Sequence, residues 1–422
     1  MKNGKNKIKP NSFAFITKDF TRLWFAVLVF AIGTWSEHVT VGYLIYDLTN
    51  SELKLTFAFA IRFIPFLFVS NYIGYISDLV SRKYLMMLIM ILGSLSMFIM
   101  SLIISLDIYN YPIILIYIFI SGSLWSSTML AQQSYSYDIT GPDHASYGTA
   151  ITKGADRIGG TIAGIFSGRL ISKSFTYPFL LAGLFQLIAS ILLIPNLKRS
   201  KFSPTTTTKP KLTEILNILK TNKVLLSVIL LTCVTEIFGF SHNSIIPVLV
   251  KDVLNGNSDD LGFMMVLRQF GGIIGLASIV VFGYIQRKGL WLLNAALGLG
   301  LCVLFLGFAN NYYIFIIVIL FLNIFASSCD SLYQIIAQKS VENHDRGKAM
   351  GAWVFALGSG PLGYMLIGFI ISIIKANKIP WLLLDIYNSP GPQFALNFNG
   401  FILVIITGVA IYYAQKLKMF RD

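Results

Sequence analysis

The chain has 422 residues, of which 55% are hydrophobic and only 12% charged, and its mean hydropathy is +0.70. Soluble domains carry about a quarter charged residues, so the shortage of charge, more than the apolar surplus, excludes a soluble globular protein and marks a multi-span membrane protein. The net charge of +14 does not point to nucleic acid, because the basic residues sit in short segments between apolar runs and no soluble domain is left to present them.

Apolar runs of about 20 residues, the length that crosses a hydrocarbon core, lie near 23–47, 54–76, 84–106, 111–134, 150–172 and 176–195. After a polar gap they resume near 223–249, 260–285, 289–309, 312–336, 349–374 and 396–415. The basic segment 1–22 precedes a long first run with no small-residue cleavage site, so it reads as a tail before a permanent anchor and not as a cleaved signal. The gap holds Ser203, Pro204 and Pro210 around a threonine run, then a short amphipathic helix over 212–219. Proline-bounded polar runs of this kind are linkers. The expected organisation is therefore a tail (1–22), a six-helix bundle (23–197), a linker (198–222), a second six-helix bundle (223–415) and a tail (416–422). The fold class is an all-α membrane protein of twelve transmembrane helices in two pseudo-symmetric halves. Its 33 Phe and 20 Tyr suit aromatic belts at both bilayer faces.

Charge asymmetry sets the orientation. With both termini inside, the inner segments hold the tail and linker lysines together with Arg82, Lys83, Lys153, Arg157, Arg287, Lys288, Lys339, Arg346 and Lys348. The outer segments hold Lys54, Arg169, Lys173, Lys251, Lys375 and Lys378. This bias is the positive-inside pattern and predicts a plasma-membrane protein with both ends in the cytoplasm. Internal repetition supports two halves. Leu55, Phe57 and Arg62 match Leu261, Phe263 and Arg268 at one constant offset; Gly74, Tyr75 and Ile76 match Gly283, Tyr284 and Ile285; His144 matches His344.

Between the second and third runs, Gly74, Asp78, Arg82 and Lys83 recur at four-residue spacing. This pattern resembles the signature loop of major facilitator superfamily transporters. The resemblance implies that Asp78 meets the N-terminus of the eleventh helix and latches the cytoplasmic side, with Gly74 allowing the close approach; Ser81 stands where that family often has Gly. Resemblance to the superfamily covers essentially the whole chain. A narrower likeness, to the macrolide-efflux and enterobactin-exporter-like multidrug:proton antiporters, rests on Phe20, Arg22, Leu23, Trp24, Gly33, Trp35, Tyr46 to Ser51, Arg62, Phe63 and Pro65.

A charge facing lipid costs roughly 2.5–3.5 kcal/mol on insertion scales, so charged residues mark helices that line protein or water. Glu37 and His38, Arg62, Glu236 and His242, Arg268 and Asp330 lie within spans, whereas the third, sixth, ninth and twelfth spans have no ionisable residue in their interiors. Those four are the expected lipid-facing ring. Glu37, near mid-bilayer, is the leading candidate to take up and release protons; an ion pair with Arg62 and a shallower, solvated carboxylate are its alternatives. Glu236, His242 and Asp330 are further proton-coupling candidates, each against a structural role in helix–helix hydrogen bonding. Arg62 and Arg268, always charged, are candidate partners of a carboxylate or an anionic substrate, against snorkelling to the outer interface. Gly160, Gly164 and Gly168 form a small-residue ridge for close packing, with an antiporter-type glycine motif as alternative. Gly360 and Pro361 suggest a hinge.

Cys233, Cys302 and Cys329 fall in apolar runs without metal-binding spacing and read as small core residues; neither disulfide, metal nor cofactor is expected. With no phosphate-binding Gly-x-x-x-x-Gly-Lys-Ser/Thr loop and no H-E-x-x-H or G-x-S-x-G, the expected function is not enzymatic. It is proton-coupled export of amphipathic or lipophilic small molecules by alternating access. A nutrient importer or facilitator is the alternative, and a membrane receptor or enzyme a remote one. The partners expected are a small-molecule substrate, protons and the lipid bilayer, with the chain acting as a monomer.

Overall fold

A computed structural model describes residues 17–68, 76, 80–141, 145–194, 212–282, 286–342, 345–375 and 391–420. Among them regular structure is entirely helical. The first half comprises α1 (Lys18–Thr49), α2 (Glu52–Phe63), α3 (Arg82–Ser105), α4 (Tyr111–Thr140), α5 (Ala145–Ile171) and α6 (Thr176–Leu192). A short α7 (Leu212–Thr221) precedes the second half, which comprises α8 (Lys223–Val234), α9 (Ser258–Val281), α10 (Lys288–Leu306), α11 (Tyr312–Lys339), α12 (Arg346–Leu357), α13 (Gly360–Lys375) and α14 (Gly391–Tyr413), with α15 (Gln415–Lys418) at its end. Nine spans among the described residues are long and apolar enough to cross a membrane. The 27 residues of α5 are a separate case, because they carry Lys153, Asp156, Arg157 and Arg169.

Short polar caps decide where helices start. Thr17, Ser51, Asn110, Asn222 and Asn311 each accept a backbone N–H of the first turn, and Asn257 with Asp260 closes a reciprocal capping box on α9. Such caps satisfy donors that have no helical partner. Asn50, in the left-handed region at φ 43°, ends α1 one residue before Ser51 begins α2. That pair is a complete reversal of direction in two residues.

Contacts at the helix ends sort the residues onto two faces. Lys54, Tyr111, Asp47, Lys251, Glu52 and Lys375 meet at one. Trp24 with Ile151, Lys83 with Ile194, and Asn222 with Ser340 meet at the other. This second face carries the start of α1 and the end of α14 and is called the terminal face here. Within the first half α1 packs on α5 and α6, and α3 on α6; in the second, α9 packs on α11, and α10 on α14 and α11. The halves join chiefly through α5 against α9 and α2 against α13. Rows of exposed apolar side chains, such as Leu88, Leu95 and Leu102 on α3, Ile188 on α6, Phe305 on α10 and Phe401 on α14, cover the outside. The sequence repeat is structural: Leu55 and Leu261 are both buried, whereas Phe57 and Phe263 are both exposed.

Where sequence predicts one unbroken span over 223–249, α8 stops at Val234 and gives way to a π turn (Thr235–Gly239), a 3-10 stretch (Phe240–Ile245), a short helix holding Pro247, and a second π turn (Leu249–Val253). Proline lacks the N–H that a continuous helix would use, and Ser241 and Ser244 bond back to carbonyls three residues earlier. Irregular backbone at membrane depth survives only where protein or a cavity surrounds it. That is the case here.

Candidate functional site: a charged cavity between the halves

A cavity of about 220 Å³ lies between the two halves. Its lining from α5 (Thr149, Thr152, Lys153, Asp156, Arg157) and from α11 (Ser327, Asp330, Ser331, Gln334) follows three- and four-residue spacing, so each helix turns one polar stripe inward. Trp35, Phe63, Phe66, Trp125 and Trp353 supply aromatic walls, and Gln132, Gln133 and Glu236 complete the polar ones. The lining segments of α4, α5 and α11 are those nearest the terminal face, which displaces the cavity toward that end.

Glu37 and Arg62 sit beside this cavity as a bidentate ion pair. Arg62 Nη2 lies 2.6 Å from Glu37 Oε2 and Nη1 lies 2.9 Å from Oε1, with Ser121 Oγ at 3.5 Å from Nη1. Both residues are buried, Glu37 completely, and the guanidinium stacks over Trp125 with 5.7 Å to the ring centroid. The geometry is that of the pair. It corrects two alternatives, a solvated Glu37 and an Arg62 snorkelling to the interface, because Glu37 is fully buried and Arg62 is 3% exposed.

Arg268, the repeat equivalent of Arg62, has different surroundings. Its guanidinium lies over the ring of Trp35 at 5.3 Å, and it makes neither ion pair nor hydrogen bond with any described residue. Trp35 Nε1 donates to Asp156 Oδ1 at 3.3 Å, and Arg157 Nη1 donates to Gln269 Oε1 at 3.1 Å. Lys153 Nζ pairs with Asp330 Oδ2 at 2.9 Å, joining α5 to α11 across the halves. Lys153 and Arg157, read from sequence as charges of an inner segment, are thus residues of the cavity wall. Asp156 was missed altogether. The available signal was the triplet's i, i+3, i+4 spacing inside a predicted span, which places all three on one helix face.

Glu236 lies in the first π turn, 9% exposed, on the cavity wall. It has no hydrogen bond or ion pair with any described residue. The start of α13 is beside it, so that a Cβ on Gly360 would stand 3.3 Å from Glu236 Oε2. His242 is buried and its Nδ1–H donates to the Gly239 carbonyl oxygen at 2.7 Å, bracing the broken helix.

Of the loop motif, Gly74 and Asp78 lie outside the described residues, as do His144 and His344. Arg82 bonds Asp138 Oδ1 of α4 at 2.6 Å and the Ser134 carbonyl, and Lys83 donates to the Ile194 carbonyl at 3.1 Å. Gly160, Gly164 and Gly168 face α9: a Cβ on Gly164 would sit 2.8 Å from the Gly262 carbonyl oxygen, and one on Gly160 would strike Gln269. Gly358 and Ser359 interrupt the span of α12 and α13, and Gly360 and Pro361 open α13.

An apolar helical bundle with a charged cavity enclosed between two repeat-related halves is a membrane transport protein. The Major Facilitator Superfamily profile matches residues 23–365, and the chain belongs to that superfamily: it is a transporter and not an enzyme. It is similar to the staphyloferrin A transporter of Staphylococcus aureus (strain NCTC 8325 / PS 47), with 23% identity over 92% of this chain and 94% of that protein. The fold is shared with solved structures of a D-xylose-proton symporter (TM-score 0.72, 14% identity, 92% of this chain and 97% of that one) and of a bacterial homologue of the human lysosomal transporter Spinster (TM-score 0.67, 14% identity, 94% and 95%).

Proposed function

We propose that this protein is a secondary active transporter that exports an amphipathic, siderophore-like small molecule by alternating access, driven by inward proton flow. Its functional units are the two six-helix bundles, 23–197 and 223–415, joined by the 198–222 linker. The charge bias of the loops supports a plasma-membrane protein with both termini in the cytoplasm, in which the cavity, displaced toward the terminal face, loads from inside. The name of the staphyloferrin A relative supports a cargo of siderophore type, and the aromatic walls suit the apolar part of such a molecule. The early resemblance of 20–65 to drug and enterobactin exporters supports the outward direction.

One observation carries the coupling: Glu236 is on the cavity wall without a partner among the described residues. A carboxyl in that position can pass between charged and neutral forms without breaking an ion pair. Glu37 would have to abandon its bidentate contact with Arg62, so the coupling role passes from Glu37 to Glu236. The test uses proteoliposomes with an imposed pH gradient, a naphthalene-based dye panel, and the variants Glu236→Gln and Glu37→Gln. Wild type accumulates dye against its gradient when the pH difference is imposed. Glu236→Gln keeps dye exchange but loses the response to pH. A wild type that moves dye equally with and without the gradient sinks the antiport reading and favours a facilitator.

A further inference from the structure

We propose that Arg157 and Arg268, with Gln269 bracing Arg157, form a subsite for a carboxylate group of the cargo, so that the transported molecule is an amphipathic organic anion and not a lipophilic cation. The inference rests on the transporter reading above and specifies the charge of what is carried.

The argument is one of missing acceptors. Gln269 is fully buried, and its Oε1 accepts from Arg157 Nη1 at 3.1 Å. That bond turns the amide so that its Nε2 donor is left without an acceptor. The neighbouring Arg268 Nε is also buried without an acceptor, and the rest of its guanidinium has only the face of Trp35. Guanidinium groups and amide nitrogens are donors with no capacity to satisfy one another, and a buried donor left unmade is costly. Two cations and an amide donor gather where α5 meets α9. The carboxylate beside them, Asp156, takes the indole N–H of Trp35, and one carboxylate against two guanidiniums leaves positive charge over. An anionic group reaching Arg157 and Arg268 would supply both an acceptor and the missing negative charge.

The internal repeat points the same way. In the first half Arg62 is neutralised by Glu37. The offset that carries Arg62 to Arg268 carries Glu37 to Asn243. At that offset the second half has the cation and, in place of a carboxylate, a neutral amide. Asn243 and Arg268 share the wall of a second cavity of about 30 Å³ with His38 and Phe59, large enough for about two waters by volume. The main cavity reaches Arg157 and the small one reaches Arg268. A cargo with its apolar body against Trp35 and Trp125 would meet Arg157 first and Arg268 as the halves rock.

The experiment is calorimetric titration of the full-length protein in lipid nanodiscs with three probes of one shape: 2-naphthoate, 2-naphthamide and 2-naphthylmethylammonium. Naphthoate is expected to bind tightest, by roughly tenfold or more over the amide, as hydrogen bonds to a charged group imply. Arg157→Gln and Arg268→Gln each remove that preference, and a thermal unfolding midpoint equal to that of wild type reports that the variants are folded. Arg268→Lys retains the order of the probes. Equal or tighter binding of the ammonium probe, a naphthoate preference that survives both glutamine variants, or binding of none of the three overturns the proposal. In liposomes, gradient-driven movement of the ammonium probe alone refutes the anion subsite and keeps the transporter reading. If none of the three probes moves while naphthoate binds as described, it is the proton-driven export reading that fails.

Discussion

The Glu37–Arg62 pair shows how one contact between two side chains constrains what each can do. Taking two charges out of water is expensive, and a pair recovers that cost only with good geometry. Here two parallel N–H···O bonds and the Trp125 face provide it. Removing one partner strands the other, so Arg62→Gln is expected to destabilise the protein by about 3–5 kcal/mol. The joint replacement Glu37→Leu with Arg62→Met should cost less than that single change, because it leaves no buried charge. Unfolding titrations of the two variants and wild type in mixed micelles decide it; a double variant that is the worse of the two rules out a structural pair. Both charges were legible in the sequence as rare ionisable residues inside apolar runs. Their pairing was one of three open possibilities, because it depends on the rotation of α1 against α2 and α4. The stripe of Lys153, Asp156 and Arg157 was harder to see. A charged turn a few residues inside a span has the same composition whether it faces a loop, the headgroups or a cavity, and only the packing of α5 on α9 separates the three.

At the scale of elements, the decisive contact is backbone on backbone. A Cβ on Gly164 would lie 2.8 Å from the Gly262 carbonyl oxygen, and one on Gly262 would lie 2.7 Å from the Gly164 carbonyl oxygen. The glycines therefore let α5 and α9 touch without side chains between them, the geometry that small residues permit in membranes. Gly164→Val should destabilise by about 1–3 kcal/mol, as overpacking does, and slow dye export in the same preparation. Gly164→Ala should do less of both. Thermal unfolding in detergent together with the transport assay checks this, and an unchanged valine variant shows that the two helices have slack. Small residues at four-residue spacing announced a close approach in the sequence, but not the partner, since nothing in a one-dimensional pattern ties 164 to 262. Most of the described helical spans were legible within a few residues, because their cause is local apolar length; the second, whose helix ends at Phe63, and the eleventh, broken at Gly358 and Ser359, are exceptions. The interruptions after Val234 were not, although Gly239, the polar run at 241–244 and Pro247 were visible there. Propensity marks a weak point in a helix, and tertiary packing decides how it breaks.

For the whole molecule, what matters is how the two ends are closed. At the face opposite the termini, polar contacts among the described residues cross between the halves: Asp47 with Lys251 at 2.9 Å, Tyr46 with Asp252, and Glu52 with Lys375. Toward the terminal face Lys153 pairs with Asp330 across the halves, at the edge of the cavity. This arrangement seals one end and leaves the cavity nearer the other, which on the alternating-access reading is one of two states. Partly exposed pairs such as these are worth about 0.2–1 kcal/mol each, so no single one holds the state, and two or three together shift a conformational equilibrium by about 2-fold to 160-fold. Charge reversal separates such a latch from a passive surface pair. Lys375→Glu sets a carboxylate against Glu52 and should populate a form open at that end. Adding Glu52→Lys should restore closure, because the swapped pair keeps its attraction. Spin labels at Leu53 and Tyr313, both exposed near that face, would report a longer distance in the single variant and the original one in the double. If both variants give the wild-type distance, the ionic contacts do not set the state, and closure belongs to the α2–α13 and α5–α9 packing alone.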